Sequence, residues 1–237
     1  ITPKLSDIII RGAEQIHLFD TPLLVCRNSG LSAESLIIKR AFDILLSALG
    51  CIVTSPIMLI TALCIKLYDG GPVFYTQDRL TRDGKVFKVY KFRSMKTDAE
   101  KDGVARLAGE HDDRITPVGR VIRKVRIDEL PQLLNILKGD MSIVGPRPER
   151  PELAAENEKI MPEFRYRLKV KAGLTGYAQV LGKYNTTPYD KLRLDLMYIE
   201  QYSLLLDIKL ILMTIKILFI PESTEGVKDD NSSGTAL

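Results

Sequence analysis

Between Asp43 and Lys66 the chain carries no charged residue. A span of roughly twenty such residues reaches about 30 Å as a helix, the thickness of the hydrocarbon core of a bilayer. Basic residues stand on both sides of it, Lys39-Arg40 before and Lys66, Arg79, Arg82 and Lys85 after. The positive-inside tendency assigns both flanks to the cytoplasm, which a single crossing cannot satisfy. Ser55-Pro56 falls in the middle, where proline removes a backbone donor and bends a helix. Two readings stand side by side: one crossing, or a kinked re-entrant hairpin that enters and leaves on the same face. A soluble core helix comes third, because apolar character runs nearly all round. The internal position and the lack of a small-residue cleavage site argue against a signal peptide.

The rest of the composition bounds the chemistry. At 237 residues the chain can build one substantial core, or one domain with appendages. It opens on Ile1 rather than methionine, as expected of a processed chain or a piece of a longer one. A net charge of +4 is too small to make nucleic acid the main partner. The basic residues cluster near apolar segments, which points to anionic lipid or phosphate ligands. Cys26, Cys51 and Cys64 lie far apart, so neither a zinc site nor a disulfide framework is indicated, and the two in the apolar stretch are expected as reduced, buried thiols. His17 and His111 have no supporting motif, so carboxylates are the better candidates for chemistry.

The densest charge pattern is Arg120-Val-Ile-Arg123-Lys124-Val-Arg126-Ile-Asp128-Glu129-Leu-Pro-Gln. Beyond it, Leu130, Leu133, Leu134 and Leu137 recur at helical spacing. Asp128 then reads as an N-cap, with Glu129 in the first turn, Pro131 early enough to be tolerated and Gly139 as the stop. Basic side chains and a helix N-terminus converging on a carboxylate pair could hold an anion, a metal ion or both. An ordinary helix start beside a solvated basic face would look the same.

Elsewhere the signals are local. Residues 1–35 mix short apolar runs with turn signals and read as the end of an upstream unit. Gly71 to Gln77 and Val86 to Arg93, joined across Asp83-Gly84, suggest a hairpin with Lys91 and Arg93 on one face, either solvated or turned towards phosphate. Residues 97–116 suggest a surface helix and loop, in which His111-Asp112-Asp113 lacks a third metal ligand. Pro151 to Leu168 is helix-prone with a break at Pro162, and Gly173 to Val180 reads as a loop entering a short strand, without the spacing of a nucleotide cradle. Asp190 to Ser203 reads as a helix, and Leu204 to Ile220 as an amphipathic helix at the membrane surface, with Asp207, Lys209 and Lys216 arguing against a span. The polar tail from Pro221 is expected to be disordered, and the sequons at Asn185 and Asn231 are chance matches.

In order, the chain carries Lys39-Arg40-x-x-Asp43, the apolar run with Ser55-Pro56, Gly71-Pro-Val-Phe, Lys91-Phe-Arg93-Ser-Met, Ile127-Asp128-Glu129-Leu-Pro-Gln, Gly139-Asp-Met-Ser-x-Val-Gly-Pro146-Arg147-Pro-Glu and Gly173-Leu-Thr-Gly-x-Ala-Gln-Val. Together they resemble the bacterial sugar transferases, monotopic phosphoglycosyl transferases that initiate capsule, exopolysaccharide and O-antigen assembly. The likeness runs from about Leu36 to Ile220, and the first residues resemble the linker that follows the membrane helices of longer members. Ala172 departs from the proline that many members carry before this glycine loop.

The resemblance implies transfer of a sugar-1-phosphate from a UDP-sugar to undecaprenyl phosphate with release of UMP. Asp128 matches the nucleophile, which forms a covalent phosphosugar intermediate, and Glu129 the ligand of Mg²⁺. Arg123 and Arg147 match phosphate-binding arginines, with Pro146 and Pro148 fixing the direction of Arg147. Lys91 and Arg93 fall on a basic strand near the phosphates. The re-entrant reading is then favoured, bent at Ser55-Pro56 with Lys39-Arg40 at the headgroups, and the catalytic domain lies on the cytoplasmic face of the inner membrane.

The expected fold is α+β and mostly helical: a compact catalytic domain with a small β-hairpin, a re-entrant membrane helix hairpin and amphipathic interfacial helices. The expected organisation is a linker over 1–35, the re-entrant helix over 36–68, the catalytic domain over 69–220 and a disordered tail over 221–237. The resemblance leans towards a hexose phosphate, glucose or galactose. Oligomeric state stays open, a homodimer being compatible with a long member. A metal-dependent glycosyltransferase releasing UDP and a non-catalytic membrane scaffold are the competing readings.

Overall fold

The charge-free segment folds within a single long helix, α1 (Ala33–Asp69), of 37 residues. At 1.5 Å per residue it is about 55 Å long. Its polarity is inverted. The buried residues are Lys39, Asp43, Ser47, Thr61 and Ile65, while Leu45, Ile52, Leu59, Leu63 and Leu67 point outward. Only 11% of its most apolar window is buried, so it is not the core helix of a soluble domain. The helix runs without interruption through Pro56, where sequence reasoning expected the turn of a hairpin. Pro56 has no N–H for the carbonyl of Ile52, one turn back. The Ser55 hydroxyl donates to that carbonyl instead, at 2.8 Å. The Ser-Pro pair therefore repairs its own defect, as apolar surroundings require.

The computed structural model describes residues 13–18, 21–26, 33–97, 99, 112–182 and 187–218. Ahead of α1, β1 (Ala13–Leu18) and β2 (Thr21–Cys26) form an antiparallel hairpin. After it, β3 (Phe74–Leu80) pairs with β4 (Val86–Phe92) around a turn with left-handed Asp83 and Gly84, as the Asp-Gly signal predicts. Next come α2 (Pro117–Lys124), α3 (Gln132–Lys138) and β5 (Ser142–Val144). Then follow α4 (Pro151–Ile160), a 3-10 segment over Pro162–Lys169, β6 (Gly173–Thr175), α5 (Tyr177–Leu181), α6 (Pro188–Glu200) and α7 (Leu204–Leu218). The coarse expectation of a mostly helical α+β fold with a small hairpin holds. Residues 1–12, His111, both sequons' asparagines and the 221–237 tail lie outside the described residues.

The main core gathers Phe87 and Val89 of β4, Leu133 and Ile136 of α3, Met141, Val144, Phe164, Leu192, Leu196 and Leu210. A smaller cluster of Ile65, Phe92 and Ile122 joins α1 to β4 and α2. Between these, α3 is gripped from both sides. Leu133 lies against Gly50 of α1, where an added Cβ would come 3.2 Å from Leu133 Cδ1. On the other side the fully buried Asn135 donates from Nδ2 to Lys88 O at 2.8 Å and accepts from Tyr90 N at 2.9 Å. One side-chain amide thus completes the free edge of β4 as a strand would. The face expected from Leu130, Leu133, Leu134 and Leu137 is rotated: Leu134 is 44% exposed, and Gln132 and Asn135 are buried instead.

The Gly173 loop also corrects the sequence reading, because its strand is the loop itself, Gly173–Thr175, and a helix follows. β6 runs parallel to β5, with Ser142 opposite Gly173 and Val144 opposite Thr175. A Cβ on Gly173 would fall 2.1 Å from Gly145 N, so two backbones touch where no side chain fits. Ala172 keeps an N–H that donates to Thr81 Oγ1 at 3.2 Å, a bond proline could not make.

The Lys39-Arg40-x-x-Asp43 motif docks α1 onto this body. Lys39 is 7% exposed, far from headgroup-facing. Its ammonium donates to Asp207 Oδ2 at 2.7 Å and to the Tyr198 hydroxyl at 3.2 Å. Tyr198 in turn donates to Asp207 Oδ1 at 2.8 Å. Arg40 donates to the carbonyls of Ile136 and Leu137 at 2.6 and 2.7 Å, capping the end of α3. Asp43 accepts from Ser142 Oγ and from the Ile143 N–H, at 3.1 and 2.9 Å. The expectation of a headgroup anchor at Lys39 and Arg40 is therefore replaced by an internal clamp. Cys64, expected to be buried, is exposed, and Cys51 is half-buried, both as free thiols.

A buried ion pair that loses one partner strands the other's charge. Lys39→Met should lower the unfolding free energy by about 3–5 kcal/mol, and Asp207→Asn in the same chain should restore part of it. Denaturant unfolding in detergent micelles checks both. A headgroup role would instead change membrane partitioning and leave unfolding unmoved.

Candidate active site

The carboxylate pair sits between α2 and α3 in a single 3-10 turn, Ile127–Glu129. It is not a helix N-cap. Pro131 directly precedes α3, whose first residue is Gln132, and no side-chain cap bond is made there. Thr116 is the true cap nearby, its Oγ1 accepting from Gly119 N at 2.9 Å to start α2. α2 carries Arg120, Arg123 and Lys124, and its exit is forced round by Arg126 at φ 55°. A left-handed arginine costs about 1–2 kcal/mol. It swings the chain so that the turn faces β4 and the Pro146-Arg147-Pro148 loop.

There Glu129 is held by two cations. Its Oε1 accepts from Lys91 Nζ at 2.8 Å and from Arg147 at 2.8 Å. Its side chain is 14% exposed. Burial by itself would raise this acid, but the charges and hydrogen bonds of Arg147 and Lys91 outweigh that and hold it below the ordinary carboxylate range. Asp128 is treated differently. Among the described residues it has no hydrogen bond or ion pair. Burial, and then the charge of Glu129, push its carboxyl above the usual value, against the pull of Lys91, Arg123 and Arg147. The helix N-terminus expected to meet this carboxylate is displaced from it, since the turn that carries Asp128 comes before α3.

The structure brings together Asp128, Glu129, Lys91, Arg147 and Pro146, with Arg123 near enough to act on Asp128 through its charge. It does not bring Arg93. That arginine is buried in a two-point pair with Asp69 at the end of α1, which closes α1 onto β4 rather than facing a phosphate. Asp112 is likewise taken by Arg114, and their bonds hold it down to about 2. Among the described residues no group of acidic, histidine or cysteine side chains forms a metal cage. Glu129 Oε2 has no hydrogen bond among these residues. A carboxylate oxygen left free in this way could serve as one ligand of a hard cation that takes its others from elsewhere.

Of the residues that hold this arrangement, Arg167 and Asp195 are not singled out in the sequence, and Arg79 reads there only as a basic flank of the apolar stretch. Arg167, 4% exposed on its side chain, donates to the carbonyl of Arg147 at 2.9 Å and pairs with Asp195 at 2.7 Å. Burial pushes Asp195 up to about 6, with Arg167 opposing. Arg79 donates to Pro148 O at 3.1 Å. Only the rarity of a fully buried arginine hints at such roles, and burial is not legible from composition.

Residues 34–221 match the family of bacterial sugar transferases. The chain belongs to the bacterial sugar transferase family. It is 44% identical over 216 residues to the UDP-N-acetylgalactosamine-undecaprenyl-phosphate N-acetylgalactosaminephosphotransferase of Aeromonas hydrophila, covering 90% of this chain and 50% of that protein. It is 43% identical over 202 residues to an undecaprenyl-phosphate glucose phosphotransferase of Komagataeibacter xylinus, covering 82% of this chain and 38% of that one. The exopolysaccharide production protein PSS of Rhizobium leguminosarum is 40% identical over 200 residues, covering 81% of this chain and 98% of that protein. The chain thus spans half or less of the longer two relatives. In this bacterial sugar transferase the family match begins at the start of α1 and takes in every residue of the carboxylate site.

A raised folded-state pKa means that the ionised form of Asp128 opposes folding. The stability tied to that group is full below its unfolded value near 3.9 and is lost as pH rises through the folded value. Asp128→Asn should therefore unfold at a higher temperature than wild type at neutral pH, with the gain vanishing below that unfolded value. Thermal melts across pH measure it; a variant less stable than wild type at pH 7 would mean that the carboxylate is satisfied.

Proposed function

We propose that this chain transfers a sugar-1-phosphate from a UDP-sugar to undecaprenyl phosphate at the cytoplasmic face of a bacterial inner membrane, the first step of building a surface polysaccharide. What carries the reading is an Asp128 with no hydrogen bond or ion pair among the described residues, beside a Glu129 locked between Lys91 and Arg147. A carboxylate made more basic, free of hydrogen bonds and ringed by cations suits attack on an anionic phosphorus centre.

In the first step an Asp128 carboxylate oxygen bonds to the phosphorus that bears the sugar, and the bond from that phosphorus to the UMP oxygen breaks. UMP leaves with that oxygen. Arg147 and Arg123 draw the diphosphate in and offset its growing charge, while Lys91 holds Glu129 in place. In the second step an oxygen of the lipid phosphate attacks the same phosphorus. The acyl phosphate bond breaks, and Asp128 is returned as carboxylate. Glu129 and the substrate phosphates would hold Mg²⁺, which when bound supplies charge neutralisation at the phosphates.

The outward apolar faces support the membrane assignment. α1 presents Ile52, Leu59 and Leu63, and α7 presents Leu205, Leu212 and Ile215 beside Lys209 and Lys216. Both ends of α1 are bound to one body, through Lys39 and Asp43 at one end and Ile65 and Asp69 at the other. A straight crossing would part them, so the re-entrant reading remains part of this proposal. The relatives' names divide between N-acetylgalactosamine, glucose and galactose. A hexose phosphate is proposed, with glucose or galactose favoured.

The test is a panel of UDP-glucose, UDP-galactose and UDP-N-acetylgalactosamine with undecaprenyl phosphate in detergent. Wild-type protein should release UMP, lose that activity with EDTA and regain it with Mg²⁺. Asp128→Asn should lower turnover at least 10³-fold, on the scale of losing a covalent nucleophile. Release of UDP would replace the reading with a glycosyltransferase, and normal turnover by Asp128→Asn would remove the covalent intermediate.

A further inference from the structure

Every carbonyl of the Pro146-Arg147-Pro148-Glu149 segment has a donor. Pro146 O accepts from Gly173 N at 2.8 Å, and Glu149 O from Leu80 N at 2.9 Å. Pro148 O accepts from Arg79 at 3.1 Å, and Arg147 O from Arg167 at 2.9 Å. The proline rings fix φ on either side of Arg147, so these bonds fix what freedom is left. The bond to Arg147 itself comes from a buried charged side chain of the 3-10 segment before β6.

Arg167 does more than pair with an acid. Its terminal nitrogens meet Arg147 O, Asp195 Oδ2 at 2.7 Å and, at longer range, Glu149 Oε1 at 3.6 Å. Its plane lies 4.8 Å from the centre of the Phe164 ring. A simple structural pair between this segment and α6 would need only Asp195. One nitrogen, Nη2, is shared by Arg147 O and Asp195 Oδ2 while Nη1 faces Glu149, an orientation that the rigid plane of a guanidinium sets and the flexible stem of a lysine would not.

We propose that Arg167 is a positioning residue, which holds the backbone of Arg147 so that the Arg147 guanidinium stands over Glu129 and the substrate diphosphate. The role of Arg147 towards the diphosphate rests on the function proposed above. The hold on the loop does not. Asp195 orients Arg167, and the Phe164 ring limits its swing.

The test uses the whole chain in detergent micelles, with Arg167→Lys and the charge-neutral pair Arg167→Gln/Asp195→Asn. The second variant leaves no uncompensated buried charge and covers the case in which the first fails to fold. Hydrogen–deuterium exchange of the peptide spanning residues 145–150 is read first and should rise several-fold in both variants, with β4 and α3 unchanged. Calorimetric UDP-sugar binding is read second. Arg167→Lys should weaken it about 10-fold, the scale of a small misplacement of a binding group, and should weaken it no further in an Arg147→Ala background.

Unchanged exchange at 145–150 would overturn the proposal. So would losses in affinity that add, because Arg167 would then not act through Arg147. Raised exchange in a wild-type chain background that binds no UDP-sugar would support the hold on the loop and instead sink the proposed function.

Discussion

The structure depends on how an apolar helix is fastened to a water-facing body. Hydrophobic contact cannot do it alone, because the faces of α1 that are most apolar point away from the protein. What faces inward is largely polar, and its charged groups are answered by partners on the body. Lys39 meets Asp207 and Tyr198, Asp43 meets Ser142 and the Ile143 N–H, and Arg93 reaches back to Asp69. Buried charges of this kind add little net stability against an apolar replacement, but they are costly to break singly. They also fix one angular setting of the helix. A purely apolar seam on a helix that is apolar all round would let it rotate.

The same logic separates the two acids of the site. Both sit in low-dielectric surroundings that oppose ionisation. Glu129 has Lys91 and Arg147 at hydrogen-bond distance, and their charge prevails. Asp128 feels the same cations from further off and feels Glu129 as a like charge, so burial prevails. Adjacent carboxylates in one turn are thereby driven apart in basicity. The difference between a fixed acid and a more basic one follows from which of them the cations touch.

Local signals in the sequence were legible and long-range ones were not. The Asp83-Gly84 turn, the break at Pro162 and the stop at Gly139 each depend on a residue's own backbone preferences, and each was found. Asp128 and Glu129 were found by charge density and by family likeness. The errors at the basic residues have one source. Lys39, Arg40 and Arg93 are basic, and a basic residue in sequence looks solvent-facing or phosphate-facing. Their acceptors are an aspartate in α7, carbonyls of α3 and an aspartate at the end of α1, which no spacing rule connects to them. Asp207, which in the sequence argues against a membrane span, is turned inward by its helix. The supposed cap at Asp128 failed because a left-handed Arg126 inserts a separate turn before α3 begins. Asn135 and Arg167, whose amide and guanidinium hold the strand and loop of the site, carry no local signal at all.

These attachments meet in α3. Its first residue, Gln132, lies three positions after Glu129. Its middle packs on α1 at Gly50 and binds β4 through Asn135, the strand that supplies Lys91. Its last carbonyls are held by Arg40 of α1. A short helix of seven residues therefore touches the apolar helix at both its middle and its end, and the carboxylate turn at its start. Displacing α1 along its axis would have to break the Arg40 bonds or shift α3, and a shift of α3 moves Glu129 relative to Lys91. The geometry of the acid pair is in this way tied to how α1 is seated. The carboxylate turn is thus built on the element that the long apolar helix holds in place.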